Sequence, residues 1–322
     1  MATPVRTSKL ETLTVIAGFI LVALNIMAAG QHYAWFLELT VHFRPQYALA
    51  AATLVIVFAC FSAWRWVFVM LVVLGLNSWF VAQHYIESEP PWALETQPSD
   101  QMILFNINRD RRDFQRLADR LINSQATLII LQEYGPNAEA ALPEKLFATY
   151  PFQMRLPAEN HFGMAVFSRA PLTPLTADPL VDDRVKSLRF TATLPHSGTV
   201  TITAVHPPSP MSRGDARMRN NELIEAASWV ASQVSPQILL GDFNATPYSH
   251  VYQTILTQTG LRPLRPTQPF DLASWPDFMG TDLMRLAIDH VLISDDLAFH
   301  KLEKTFGHGS DHAMISLSLQ GR

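Results

Sequence analysis

Two apolar stretches near the N-terminus limit what this chain can become. No charged residue occurs from Leu13 to Gly30, and Arg65 is the only Lys, Arg, Asp or Glu from Pro45 to Ile86. Crossing the hydrocarbon core of a bilayer, about 30 Å thick, takes roughly 20 apolar helical residues. The first stretch fits one crossing and the second fits two, so spans are expected at Leu13 to Ala29, Tyr47 to Trp64 and Trp66 to Gln83. A cleaved secretory signal accounts for less: its apolar segment is about 7 to 15 residues and leads into a small-residue cleavage site. That reading also leaves the second stretch unexplained. A tight turn at Ala63-Trp64-Arg65-Trp66 would set both tryptophans in an interfacial belt with Arg65 at the headgroups.

Basic flanks tend to stay cytoplasmic. Arg6 and Lys9 precede the first span and Arg65 separates the second from the third, whereas the other side carries Arg44 and the acids Glu87, Glu89, Glu95 and Asp100. The expectation is a multi-pass protein of the cytoplasmic (inner) membrane: residues 1–86 form a membrane domain, 87–100 a Pro- and acid-containing linker, and 101–322 a catalytic domain on the periplasmic, extracytoplasmic side. The chain has 24 Lys and Arg against 28 Asp and Glu; four and six of these precede residue 101, which leaves 20 and 22 in the soluble part. A slightly acidic domain is a poor generic binder of nucleic acid. Cys60, in the second span, is the single cysteine. No disulfide partner exists for it, and the soluble part must rely on its core.

That part alternates short apolar runs with segments of helical period. Strands are expected at Met102 to Asn106, Leu128 to Gln132, Gly163 to Ser168, Leu188 to Leu194, Val200 to His206, Ile238 to Gly241, Ala287 to Ser294 and Ala313 to Leu319. Phe114, Leu117 and Leu121 share one helical face, as do Leu223, Ala227 and Val230. "LIIL" and "ILL" read as buried on both faces. Thr173 to Lys186 and the Pro-rich Leu261 to Phe270 read as loops. Eight or more strands with few helices imply two packed sheets with helices outside.

Polar residues cluster at the ends of these runs: Asn106 and Asn108, Glu133, His206, Asp242 and Asn244, then Asp311 and His312 before the last strand. Any one of them could be an ordinary turn residue. Five such ends converging at one rim would form a concave site with oxygen ligands for a hard cation and donors for phosphate.

The ordered set "NIN", "LQE", a strand-terminal His, "GDFN", "DHV" and "SDH", between about Met102 and Leu319, resembles the endonuclease/exonuclease/phosphatase family, which includes deoxyribonuclease I. The resemblance implies an α/β fold, a four-layer sandwich of two packed sheets flanked by helices, here preceded by a bundle of three transmembrane helices. It implies Mg²⁺, with Mn²⁺ as a substitute, held by Glu133 and Asn106 with Asp311 completing or water-bridging the shell. By the same resemblance Asp242 activates the attacking water, Asn244 holds a non-bridging oxygen, His312 oriented by Asp289 contacts the phosphate, and His206 protonates the leaving oxygen. Asn108 stands where abasic-site enzymes carry aspartate, which points toward the deoxyribonuclease and sphingomyelinase branches. Asn108, Arg189 and Arg217 are candidate substrate-binding residues, and Arg285 is a further arginine that could bind substrate phosphate. The expected activity is membrane-anchored phosphoester or pyrophosphate hydrolysis, with a lipid-linked phosphorylated substrate favoured by the tether. An anchored nuclease acting on DNA or RNA is the alternative, and a non-catalytic membrane scaffold the third reading.

Overall fold

The computed structural model describes residues 9–84, 98–176, 178–264, 273–277 and 280–322. Arg6, the linker up to residue 97 and the Pro-rich residues 265–270 lie outside the described residues. The chain divides into two compact units, Met1–Glu87 with Tyr248–His250, and Ser88–Pro247 with Val251–Arg322.

The first unit contains α1 (Lys9–Ala29), the short α2 (Trp35–Glu38), α3 (Arg44–Cys60) and α4 (Trp64–Ala82). Among the described residues, three segments are long and apolar enough to cross a membrane: Lys9–Ala29, Trp35–Cys60 and Trp64–Ala82. Their outward faces carry exposed Leu13, Ile20, Ile56, Phe68 and Val72, while a narrow interior buries Leu21, Ala51, Phe58 and Met70. Such an apolar exterior is what lipid contact requires. The interior is not wholly apolar. Arg44 Nη1 donates to Asn25 Oδ1 at 3.2 Å and Asn77 Oδ1 at 3.1 Å, and Asn77 Nδ2 donates to Asn25 Oδ1 at 2.8 Å, which ties α1, α3 and α4 together. Phe80 covers the guanidinium at 4.4 Å.

The turn between α3 and α4 falls earlier than the AWRW stretch. Ser62 takes φ 56°, Ala63 N–H donates to Phe58 O and Ser62 N–H to Ala59 O, so α3 closes on a left-handed residue and Trp64, Arg65 and Trp66 begin α4. Trp66 stacks on Phe58 at 5.3 Å, and only Trp64 remains strongly exposed.

The second unit contains two six-stranded sheets. The first runs in the order β11-β12-β1-β2-β4-β3 and the second β5-β6-β7-β8-β10-β9. The strands are β1 (Asp100–Asn106), β2 (Leu128–Gln132), β3 (Phe152–Leu156), β4 (Met164–Ser168), β5 (Leu172–Thr176), β6 (Ser187–Leu194), β7 (Gly198–Val205), β8 (Gln237–Asp242), β9 (Arg262–Pro263), β10 (Asp289–Ile293), β11 (Leu297–Thr305) and β12 (Met314–Gly321). The pairs β1–β2 and β7–β8 are parallel and the others antiparallel. Outer faces are covered by α5 (Phe114–Asn123), α6 (Pro136–Ala141) and α7 (Glu144–Thr149) on the first sheet, and by α8 (Arg213–Ala231) and α9 (His250–Thr259) on the second. The result is a four-layer sandwich.

Two-residue alternation assigns each apolar side chain to a layer. Met102, Leu104, Leu128, Ile130, Ile202, Ala204, Ile238, Leu240, Val291 and Ile293 fill the space between the sheets. Ile103, Phe105, Ile129 and Leu131 face α5–α7, and Leu239 and Leu292 face α8 and α9. Extending the inner register by one step at the same rim reaches Asn106, Gln132, His206, Asp242 and Asp289.

Four strands, β3, β5, β9 and β11, lie outside the strands expected from the sequence, and all four are sheet edges. β3 and β5 are largely exposed, and β5 carries Pro174. An edge strand pairs on one side only, so neither a continuous apolar run nor an unbroken set of N–H donors is needed. The segment Thr173 to Lys186 is therefore a strand up to Thr176 rather than wholly loop.

One buried acid stands apart from the rim. Glu222 on α8 is 1% exposed and accepts the Asp182 N–H at 3.0 Å. Burial pushes its carboxyl up to about 7, against the backbone donors and the Arg189 charge that favour ionisation. The folded state therefore holds a proton between about pH 4.5 and 7 that the unfolded chain releases, so this group lowers stability as pH rises through that window. Glu222→Gln keeps the acceptor without the charge. Chemical denaturation of the two proteins at pH 5 and pH 8 should show the variant gaining roughly 1–3 kcal/mol relative to wild type at the higher pH only.

Candidate active site

Asp242 and Asp289 face each other directly in the β8–β10 pair, at the end of the inter-sheet layer. Asp289 Oδ2 lies 2.9 Å from His312 Nδ1, while Asp242 Oδ2 lies 3.7 Å from His312 Nε2 and 3.6 Å from His206 Nε2. All four groups are at most 5% exposed. Two carboxylates this close cannot both ionise cheaply without a cation between them. Burial and the Asp289 charge push the Asp242 carboxyl up, whereas Asp289 is held down, burial being outweighed by its His312 partner. Burial works against a charged His312, but Asp289, Asp242 and Asp311 raise it to about 10, so it is an imidazolium at neutral pH. His206 is different: burial lowers it to about 4, and the ring is neutral, packed against Phe162 at 5.9 Å.

The first sheet supplies the opposite wall. Asn106 Nδ2 donates to Glu133 Oε1 at 3.1 Å and lies 3.5 Å from His312 Nε2. Glu133 sits just past β2 with φ 56°, a conformation costly for a residue with a Cβ. Its Oε2 accepts from Arg109 N–H at 2.9 Å and lies 3.0 Å from His161 Nδ1. Burial raises its pKa, but the nearby His206 ring and the bonds from His161, Arg109 and Asn106 outweigh this and lower it below the usual carboxylate value, so the group is ionised at neutral pH. Asn108 (φ 60°) and Asn244 (φ 49°) adopt the same left-handed conformation. Three such residues at one rim mark backbone strain concentrated around the site.

Gln132 was not singled out in the sequence and is central. Its Nε2 donates to Val205 O at 2.8 Å and its Oε1 accepts Asp242 N–H at 3.1 Å, joining the two sheets beneath the pocket. Gly241 makes this bridge possible: at φ 143°, a Cβ there would fall 1.9 Å from Val205 O and 2.9 Å from Gln132 Nε2. Further supports come from residues to which the motifs assign no role. Ser310 Oγ donates to Asn106 O, Arg219 Nη1 donates to Asn244 O at 2.7 Å, and Ser209 Oγ donates to Asn244 Oδ1 at 2.8 Å.

Asn106, Glu133, His206, Asp242, Asn244, Asp289 and His312 are thus brought to one rim. Asn108 and Asp311 join it indirectly: Asn108 Nδ2 and Trp275 Nε1 each donate to one oxygen of Asp311 at 2.9 Å. Each Asp311 oxygen thus holds one N–H donor, which fixes the carboxylate, and keeps a second acceptor direction. The two arginines do not arrive. Arg189 extends from the outer face of β6 to stack on Trp229 at 4.8 Å and donate to Asp178 O, because Leu188 and Phe190 take the inner register. Arg217 is exposed on α8, and its neighbour Arg219 is the buried one. Arg285 lies under Phe306 and pairs with Asp277 and Asp282.

A divalent cation fits this donor set. Glu133 is ionised and adjoined by an amide that can present oxygen, and Asp242, Asp289 and, once a cation displaces its second ring proton, His312 each offer one atom within 4.8 Å of the others. Carboxylate, amide and imidazole at this density are the chemistry of a hard or borderline metal.

Fold and site together define a phosphoester-hydrolase architecture. The endonuclease/exonuclease/phosphatase family model matches residues 103–312, and the chain belongs to that family. An endonuclease/exonuclease/phosphatase from Bacteroides vulgatus is similar in structure at a TM-score of 0.52, with 16% identity over 70% of this chain and 100% of that one. The human Nocturnin catalytic domain with bound sulfate gives 0.51, with 17% identity over 73% and 100%. ANGEL2, a 2′,3′-cyclic phosphatase solved with adenosine-2′,3′-vanadate, gives 0.54, with 14% identity over 69% and 96%. No curated protein sequence matches the chain.

Proposed function

We propose that this chain is a membrane-anchored, Mg²⁺-dependent phosphoesterase that hydrolyses a phosphoester or pyrophosphate bond of a lipid-linked substrate outside the cytoplasmic membrane. The observation that carries the reaction class is the meeting of Asn106, Glu133 and His312, at strand ends of one sheet, with Asp242 and Asp289 from the other at a single buried rim.

A divalent cation bound by Glu133 and Asn106 would neutralise charge on the phosphate oxygens. The remaining work falls to side chains. His312, charged and fixed by Asp289, points Nε2 into the pocket and stabilises negative charge on a non-bridging oxygen. Asn244 spends one amide hydrogen on Pro207 O and retains the second for substrate. Asp242 is positioned by Gln132 and by Asn244 N–H at 2.8 Å to take the proton of the attacking water. His206 is neutral before substrate arrives; the negative charge of a phosphate beside it favours its protonated form, from which it can serve the leaving oxygen.

The apolar helices support a substrate in the membrane, since a tethered site meets lipids at high effective concentration. The balance of 20 basic to 22 acidic residues beyond residue 100 supplies little of the attraction that a nuclease uses. A hydrolysis panel with detergent-solubilised full-length protein and Mg²⁺ separates these readings. Phosphate release from polyprenyl pyrophosphate or phospholipid, with DNA and RNA intact, is expected. Cleavage of nucleic acid alone would replace this reading with the nuclease, and inactivity on every phosphoester would replace it with a scaffold.

A further inference from the structure

We infer that His161 is a positioning residue for Glu133: its Nδ1–H fixes the carboxylate rotation so that Oε1, not Oε2, is presented to a cation in the pocket. This rests on the proposed role of Glu133 as a cation ligand.

The two oxygens of Glu133 have unequal surroundings. Oε2 faces two donors, Arg109 N at 2.9 Å and His161 Nδ1 at 3.0 Å, which take both of its in-plane acceptor directions. Oε1 has one contact, the Asn106 amide at 3.1 Å, on the side where Asn106 also approaches His312 Nε2 at 3.5 Å. An ionised carboxylate accepts only, so Nδ1 is the protonated nitrogen of His161 in this pair. Without it, Oε2 would keep a single backbone donor and the carboxylate could swing about that bond. Outer partners that orient a metal-binding carboxylate in this way typically contribute 10- to 100-fold in metal affinity.

The loop that carries His161 is built to hold it. Gly163 pairs with Tyr134, immediately after Glu133: Tyr134 N–H donates to Gly163 O at 2.9 Å, and a Cβ on Gly163 would fall 2.0 Å from Tyr134 O. Ala158 N–H donates to Tyr134 O at 3.2 Å from the other end of the loop. Between them, Asn160 Oδ1 accepts Phe162 N–H at 3.0 Å and Asn160 Nδ2 donates to Arg184 O at 3.1 Å. The next residue, Phe162, packs on His206, so consecutive side chains of one loop reach both walls of the pocket. The His161 ring itself is largely exposed, its side chain 57% accessible, which makes a packing role a poor account of its placement.

The test is Mn²⁺ binding to the full-length protein without substrate, read by calorimetry or by the electron paramagnetic resonance signal of free Mn²⁺, for wild type, His161→Ala, His161→Asn and Glu133→Gln. Asparagine places its amide nitrogen where histidine has Nδ1, so it restores the donor without the ring. His161→Ala should weaken Mn²⁺ affinity about 10- to 100-fold, and His161→Asn should return it to within about threefold of wild type. Alanine affinity within twofold of wild type overturns the inference, as does a loss that asparagine leaves unrepaired, because the donor would then not be the operative feature. Glu133→Gln separates the premise: if it binds Mn²⁺ like wild type, the ligand role of Glu133 fails; if it alone loses binding, only the role of His161 fails.

Discussion

Glu133→Gln is expected to lower kcat/KM about a thousandfold, while the melting temperature stays within a few degrees of wild type. The substitution keeps the size of the side chain and an oxygen for Arg109 N–H to reach, but removes the ionised carboxylate that Glu133 presents to the pocket. A metal acting on a phosphoryl oxygen supplies several kcal/mol of transition-state stabilisation, and each 1.36 kcal/mol is a factor of ten. His312→Ala should cost about 10²- to 10³-fold, the usual loss for one preorganised donor to developing charge. It also strips the buried Asp242–Asp289 pair of its cation, so His312→Gln, which can still bond Asp289, is the variant that separates chemistry from folding. Near-normal turnover of either Glu133→Gln or His312→Gln, measured with saturating Mg²⁺, would contradict the roles assigned.

Gly241→Ala should have the largest effect on stability. Its new Cβ would sit 1.9 Å from the Val205 carbonyl oxygen, which is backbone of the neighbouring strand β7 and cannot move alone. Shifting β7 breaks the Gln132 contact to Val205 O and with it the tie between the sheets. Combined backbone strain and a lost buried hydrogen-bond network place the cost above about 4 kcal/mol. For a unit of this size that is about 8–16 °C in melting temperature. Differential scanning fluorimetry on the purified full-length protein reads this directly; a shift of less than about 3 °C would mean that β7 and β8 accommodate a side chain between them.

How far the sequence alone reached follows from which signals are local. Buried central strands such as Leu128–Gln132 and Gln237–Asp242 are continuous apolar runs, and β-periodicity carried their inner faces straight to Asp242. The edge strands β3 and β5 lacked that signal because only one side of each is paired. Motif spacing found the residues that end strands, since one rim collects them by topology. It did not find Gln132, whose amide looks like a turn residue until β7 and β8 are seen on its far side. Nor did it find His161, which lies on a polar turn and acquires a partner only when that turn folds onto Glu133. Arg189 and Arg217 were chosen for charge alone, and charge does not specify a face: Arg189 follows the outer register of β6, and Arg217 lies two positions from the inward-facing Arg219 on α8.

The most direct test is phosphate release from a lipid pyrophosphate by one preparation of the full-length protein, assayed with Mg²⁺, with EDTA, and with Mg²⁺ restored. Metal-dependent catalysis at the rim predicts turnover with Mg²⁺, its loss in EDTA, recovery on readdition, and none of these for Glu133→Gln. Turnover that persists unchanged in EDTA, or equally in Glu133→Gln, would contradict it.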